Sequence, residues 1–204
     1  DPANVDAEVL ESTPSSAPEG LWFPIPGATL PQADAYLPGA PRIYRRGVNQ
    51  GFDFYSGDAS IPIPYGAPVI AADNGTIVRV DNDYAELSPS AWQSLLAEVA
   101  QAGATDEQLN LLRGRQIWLR TDSGPTVRYG HLSSIADSLS VGQSVYRGQV
   151  IGYVGNSGTE DGNEGTRRGA RLHFEVWPGD DDFFGQGLSP DELRQAAANL
   201  FVGP

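Results

Sequence analysis

The sequence predicts an all-β fold of short antiparallel strands, carrying a helical hairpin and closed by a C-terminal helix. Three observations lead there. Short apolar runs recur through the middle of the chain, punctuated by Gly, Pro and Asn-Gly turns. Between residues 85 and 114 the apolar spacing changes to a helical period. Finally, Ser189-Pro190-Asp191-Glu192 has the form of a capping box.

Residues 1–20 are acidic, rich in Pro and Ser and short of large apolar groups, so they are expected to form a flexible tether. From Leu21 to Pro41, prolines alternate with Trp22, Phe23, Ile25, Tyr36 and Leu37. That pattern reads as an extended arm lying over the domain surface, because proline donates nothing to a strand ladder. A functional alternative is an arm that blocks a groove. The expected division is therefore 1–40 for tether and arm, 41–183 for the domain proper, and 184–204 for the last helix and tail.

Strands are expected near Phe52–Tyr55, Pro68–Ala72, Thr76–Asp81, Gln116–Thr121, Thr126–Tyr129, Val150–Val154 and Ala170–Val176. Val69, Ile77, Ile117, Leu119, Val150 and Phe174 are the expected core. Ser88-Pro89 supplies an N-cap and a first-turn proline, and Trp92, Leu95, Leu96 and Val99 follow at i, i+3, i+4, i+7 spacing. Gly103 is placed to stop that helix, and Thr105-Asp106-Glu107-Gln108 opens a second one through Leu112. The stripe of Trp and Leu is expected to be the hairpin's own core, with contact to a partner as the alternative.

The long loop 158–169 ends in Arg167 and Arg168, which with Arg171 make a basic spot. Local pairing with Glu160, Asp161 and Glu164 is the plain expectation, worth roughly 0–1 kcal/mol per exposed pair. Recognition of a peptide carboxylate by the planar guanidinium fork is the functional one. The run Asp180-Asp181-Asp182 lacks the spaced ligands of a calcium loop and reads as solvated surface.

The net charge of -13 argues against nucleic acid and anionic membrane as partners. No apolar run is long enough to span a bilayer. No signal peptide is visible, and the lack of an initiating methionine leads to the expectation that a signal or anchor has been trimmed. With no cysteine, a disulfide framework is excluded. Every basic residue counted among the 13 Lys+Arg is arginine. The Gly142–Gly155 stretch is similar to half of a biotin- or lipoyl-carrier domain, but a chain without lysine has no attachment point for such a cofactor.

The chain has 2 histidines, and histidine is the side chain most used for zinc binding and proton transfer near neutral pH. His131 lies in Tyr129-Gly130-His131-Leu132 and His173 in Arg171-Leu172-His173-Phe174-Glu175. Three further blocks accompany them in order: Asn49-Gln50-Gly51-Phe52-Asp53, Gly66 through Ile77, and Gly142 through Gly155. From about Arg42 to Trp177 the sequence resembles the lysostaphin/LytM-type zinc peptidases, which cut peptide cross-links in bacterial cell walls. Their pattern runs H-x-G-x-D, G-x-P-V-x-A-x-x-x-G-x-V, Y-x-H-L, G-x-x-V-x-x-G-x-x-I-G-x-x-G and H-L-H-F-E. The resemblance implies a duplicated hybrid motif, a barrel-sandwich of short strands, and an extracytoplasmic setting.

It also implies roles. Asp53 and His173 stand at zinc-ligand positions, and His131 at a catalytic one. Asn49 stands where the first ligand histidine would be, and Arg171 replaces the first histidine of H-L-H. Tyr129, Arg167 and Arg168 are candidates for lining the binding groove.

The replacements have physical consequences. A catalytic zinc needs three protein ligands and an open position. Asn49 offers a neutral amide oxygen, a poor donor for this ion. Affinity is expected to fall by orders of magnitude, since even indirect losses cost about 10–100-fold. Residues two apart on a strand share a face, so Arg171 and His173 are expected to point into one groove. A guanidinium has no acceptor and cannot take a proton from water. Arg171 is therefore expected to pair with Asp53 and fill the metal's place.

The leading expectation is a LytM-like domain that binds peptidoglycan or regulates a cell-wall hydrolase without catalysis and without a cofactor. The first alternative is an active zinc endopeptidase with an atypical ligand set, in which His131 is the acid or the oxyanion-stabilising group and Arg171 an electrostatic stabiliser. The second is an extracellular structural module.

Overall fold

The computed structural model describes residues 18–203; positions 1–17 of the tether expected over 1–20 lie outside them. Strand alternation organises everything else. The larger sheet has six antiparallel strands in the order β3-β11-β7-β6-β5-β9. These are β3 (Phe52–Tyr55), β5 (Gly75–Val80), β6 (Ile117–Thr121), β7 (Thr126–Gly130), β9 (Ser144–Val145) and β11 (Arg171–Trp177). A second sheet pairs β4 (Pro68–Ile70), β10 (Val150–Val154) and β8 (Leu132–Ile135) in the order β4-β10-β8. Neither sheet closes into a barrel, and β1 (Pro41–Arg42) and β2 (Gly47–Val48) form a separate small ribbon.

Successive side chains on a strand point to opposite faces. Phe52 and Phe54 of β3, Ile117 and Leu119 of β6, Val127 and Tyr129 of β7, and Leu172 and Phe174 of β11 all enter one core. The intervening residues Asp53, Arg128, Arg171, His173 and Glu175 occupy the opposite face. Full burial of each large apolar side chain stabilises by about 1.5–3 kcal/mol, so the register is firmly held: a slip of one residue would send the charged set inward.

That charged face is covered in turn by the helical hairpin. α1 (Pro89–Ala102) is capped by Ser88 Oγ accepting the Ala91 amide, and α2 (Asp106–Arg113) carries the full capping box between Thr105 and Gln108. Trp92, Leu95, Val99 and Leu112 make the hairpin's own small core, as the spacing predicts. A short α3 (Glu160–Asn163) opens the long loop, and α4 (Pro190–Leu200) follows the Ser189 capping box.

The arm differs from its expected place on the surface. Leu21, Ile25 and Leu37 are buried in the main core. Leu21 bridges to Phe201, its amide donates to the Leu200 carbonyl, and the Trp22 amide donates to the Ala72 carbonyl. Phe23 stacks on Phe201 with ring centroids 4.4 Å apart. The prolines prevent a regular ladder, but the apolar residues between them still gain by burial. Val150, an expected core residue, is 39% exposed because it begins its strand on the outward side.

Candidate functional site

Register brings three motifs together. On β11, His173 pairs with Asp53 of β3 on one side and with Gly130 of β7 on the other, and His131 follows directly. Gly130 leaves the room this packing needs, since a side chain there would press on the Arg113 carbonyl at 3.1 Å. His131 itself sits at φ 59, a left-handed conformation unusual for a residue with a Cβ. Its amide is held there by donating to the Arg113 carbonyl at 2.7 Å.

His173 is flanked by carboxylates on both sides: Nδ1 is 2.8 Å from Asp53 Oδ1 and Nε2 is 2.9 Å from Glu175 Oε1. Both ring nitrogens donate, so the ring is an imidazolium. Burial pushes its pKa down, but the two carboxylates outweigh burial and raise it. Burial likewise opposes ionisation of Asp53, yet the charge and hydrogen bond of His173, with Arg171 and Arg42, hold it well below the usual carboxylate range. Glu175 behaves the same way against burial, through Arg113 and His173.

The network extends outward. Arg113 Nε donates to Glu175 Oε1 at 2.7 Å, and Trp177 Nε1 donates to Glu175 Oε2 at 2.7 Å. Asp53 Oδ2 accepts from Arg42 at 2.8 Å and from Asn49 Nδ2 at 3.1 Å. Arg171 Nε stands 3.5 Å from Asp53 Oδ1, the pairing expected from the sequence, with Arg42 the closer partner. Arg171 Nη2 donates to His131 Nε2 at 2.7 Å, so His131 is the neutral tautomer whose Nδ1 donates to the Ser157 carbonyl. Burial lowers the His131 pKa well below its ordinary value, and the Arg171 and His173 charges lower it further.

The side chains at the expected zinc-ligand positions are engaged with one another. Asn49 presents its amide N–H to Asp53 rather than an oxygen, and both His173 nitrogens are committed as donors. Among the described residues no group of three or more His, Cys, Asp or Glu is placed to hold a metal ion.

Above the network lies a cavity of about 370 Å³, floored by Arg42, Arg45, Arg171 and His173 and walled by Trp92, Leu96, Leu109 and Leu112 of the hairpin. Three candidate groove residues lie elsewhere. Alternation sends Tyr129 into the core, fully buried, where its hydroxyl accepts the Ala72 amide hydrogen. Arg168 pairs locally with Asp161 and Glu164, both at 2.8 Å. Arg167 stacks over Tyr65, 5.0 Å from the ring centre, beside a different depression. Sequence reasoning left Glu175, Arg113, Arg42 and Arg45 unassigned. Glu175 had a signal, since it shares the strand face of Arg171 and His173. The three arginines had none, because contacts distant in sequence place them.

Residues 96–184 match the model of peptidase family M23. That span contains His131, Arg171 and His173 but not Asn49 or Asp53. Among solved structures the chain is similar to a zinc-containing peptidase from Vibrio cholerae (22% identity, 78% of this chain and 37% of that one, TM-score 0.44). It is also similar to the catalytic domain of the antimicrobial peptidase lysostaphin from Staphylococcus simulans (24% identity, 69% and 74%, TM-score 0.42). A LytM protein from Ruminococcus gnavus gives 20% identity over 91% and 63%, with TM-score 0.49. The chain spans little more than a third of the Vibrio protein's length. No curated protein matches.

Proposed function

With a family M23 segment as the premise, we propose that this chain is a non-catalytic member of that group which binds peptidoglycan, or an enzyme that cuts it, outside the cytoplasm. What supports this reading is that the residues at the family's ligand and catalytic positions are engaged with one another. Asn49 and Arg171 meet Asp53, and Arg171 meets His131, in a hydrogen-bonded ion network that on this reading replaces a Lewis acid. A guanidinium cannot activate water, and the neutral His131 has its one acceptor nitrogen taken. Binding needs none of that chemistry, and the cavity remains open. Among the described residues no helix is long and apolar enough to cross a membrane.

The test is sedimentation with purified sacculi, run beside a cleavage assay on the same sacculi with zinc supplied. Co-sedimentation without release of soluble fragments is expected. Zinc-dependent release would overturn the non-catalytic reading and favour a peptidase with an atypical ligand set. Failure to sediment, with capture of a cell-wall hydrolase instead, would favour the regulatory form.

A further inference from the structure

We propose that the α1–α2 hairpin is a lid that swings as one body, pinned where the chain enters and leaves it and free at its far turn, residues 103–105. A swinging lid serves either ligand of the binding reading and depends on neither.

The pinned end is densely bonded. Glu86, just ahead of α1, accepts the Gly158 amide hydrogen at 3.1 Å. Arg115, just after α2, donates to the Tyr84 carbonyl at 3.1 Å and, from its amide, to Ser157 Oγ at 2.8 Å. Asn110 and Arg113 add bonds to Gln116, Gln50, Glu175 and His131. Among the described residues, those two supply every hydrogen bond that runs from the helices, beyond their caps, to the rest of the chain. None starts from α1 or from the far turn.

The far end is held loosely. The hairpin's core of Trp92, Leu95, Val99 and Leu112 is separate from the main one. Neither helix packs along a strand; α1 leans instead on the turn Ile43–Arg45 of the ribbon. Space lies on both sides of that seam: the cavity of about 370 Å³ over the ion network, and a trough of about 630 Å³ between the ribbon and the far turn. Arg45 and Leu109 are the two residues that line both, so one arginine and one leucine form the partition.

Arg45 Nε on the ribbon side and Trp92 Nε1 on the helix side are buried without an acceptor. Closed, these donors go unpaired, which is unfavourable; opening lets water reach them. Against this, opening gives up the burial of Leu109 and the contact of α1 with the ribbon. Segments with so few apolar contacts and hydrogen bonds are those that open first. The swing merges cavity and trough into one cleft and uncovers Arg171 and His173.

The chain has no cysteine, so pairs of spin labels can be introduced cleanly. Gln101→Cys at the far end of α1 with Ser134→Cys on β8, both exposed, reads the lid against the body; Ser94→Cys with Glu107→Cys reads the hairpin alone. Distances measured by pulsed electron spin resonance are expected to show the closed spacing predominating. Leu109→Ala is expected to raise the ratio of displaced to closed spacings about tenfold or more, and the milder Leu109→Val about fourfold, with the hairpin pair unchanged. A lid distance that neither substitution moves would overturn the proposal. So would a spread within the hairpin pair, which would mean that the helices unravel instead of swinging. No ligand is added, so the result is independent of the binding reading.

Discussion

Arg171 Nη2 donates to His131 Nε2 across 2.7 Å, which fixes the imidazole as the Nδ1–H tautomer facing the Ser157 carbonyl. A side chain with five donors and no acceptor leaves the histidine no other choice. The same cation, added to burial, disfavours protonation of the ring. His131 therefore stabilises the fold above its unfolded pKa of about 6.5 and loses that contribution as pH falls.

Removing the cation should release the ring. In Arg171→Met the His131 pKa is expected to move upward toward the ordinary value. With only 2 histidines in the chain, imidazole resonances followed by NMR across the pH range resolve the two titrations. An unchanged low value for His131 would assign the shift to burial and the His173 charge rather than to Arg171.

The metal position should be restorable. Asn49→His with Arg171→His supplies the two missing imidazoles, and near-stoichiometric zinc is expected after purification in zinc-containing buffer. The native chain, treated identically, is expected to hold little. Mass spectrometry of metal content decides; near-stoichiometric zinc in the native chain would mean that its own donors rearrange around the ion.

Acid should dissolve the network. The pKa values of Asp53 and Glu175 are depressed in the folded chain. Their contribution is complete above the unfolded values of about 4 and is lost as pH falls below them. His173 has the opposite sign: its raised pKa stabilises fully below about 6.5 and fades as pH rises through the folded value. Stability measured by urea denaturation is thus expected to fall on both sides of a mildly acidic maximum. Glu175→Gln leaves Arg113 and His173 without their shared anion and should cost roughly 3–5 kcal/mol. A cost under about 1 kcal/mol would show that water replaces the carboxylate.

The proline-rich arm should behave as core. Leu21 is fully buried between α4 and the sheets, and Leu21→Ala is expected to destabilise by about 2–5 kcal/mol. Thermal melting shows the loss directly, and a surface arm would show almost none.

The parts of the fold that follow a local rule were readable from the chain. β3, β10 and β11 stand where alternation and turn residues put them, α1 begins at its Ser88 N-cap, and α2 and α4 begin at their capping boxes. What escaped depends on distant partners. β8 and β9 are short and weakly patterned, and exist because β10 and β5 offer them an edge. Tyr129 looked like a groove residue from its motif, and strand parity sends it inward. The site was half legible. Asn49, Asp53, His131, Arg171 and His173 do converge, because their motifs sit on neighbouring strands. Arg42 and Arg113 join them from a ribbon and a helix end whose positions only the packed chain defines.

Gly114, at the exit of α2, lies so close to the Ser157 carbonyl that even a methyl group there would collide with it. Ser157 is also the residue that receives the His131 ring and, through its hydroxyl, the Arg115 amide. The hairpin and the imidazole thus share a single rivet. A side chain introduced at Gly114 would therefore displace the carbonyl that receives His131 Nδ1, and with it the orientation of the ring.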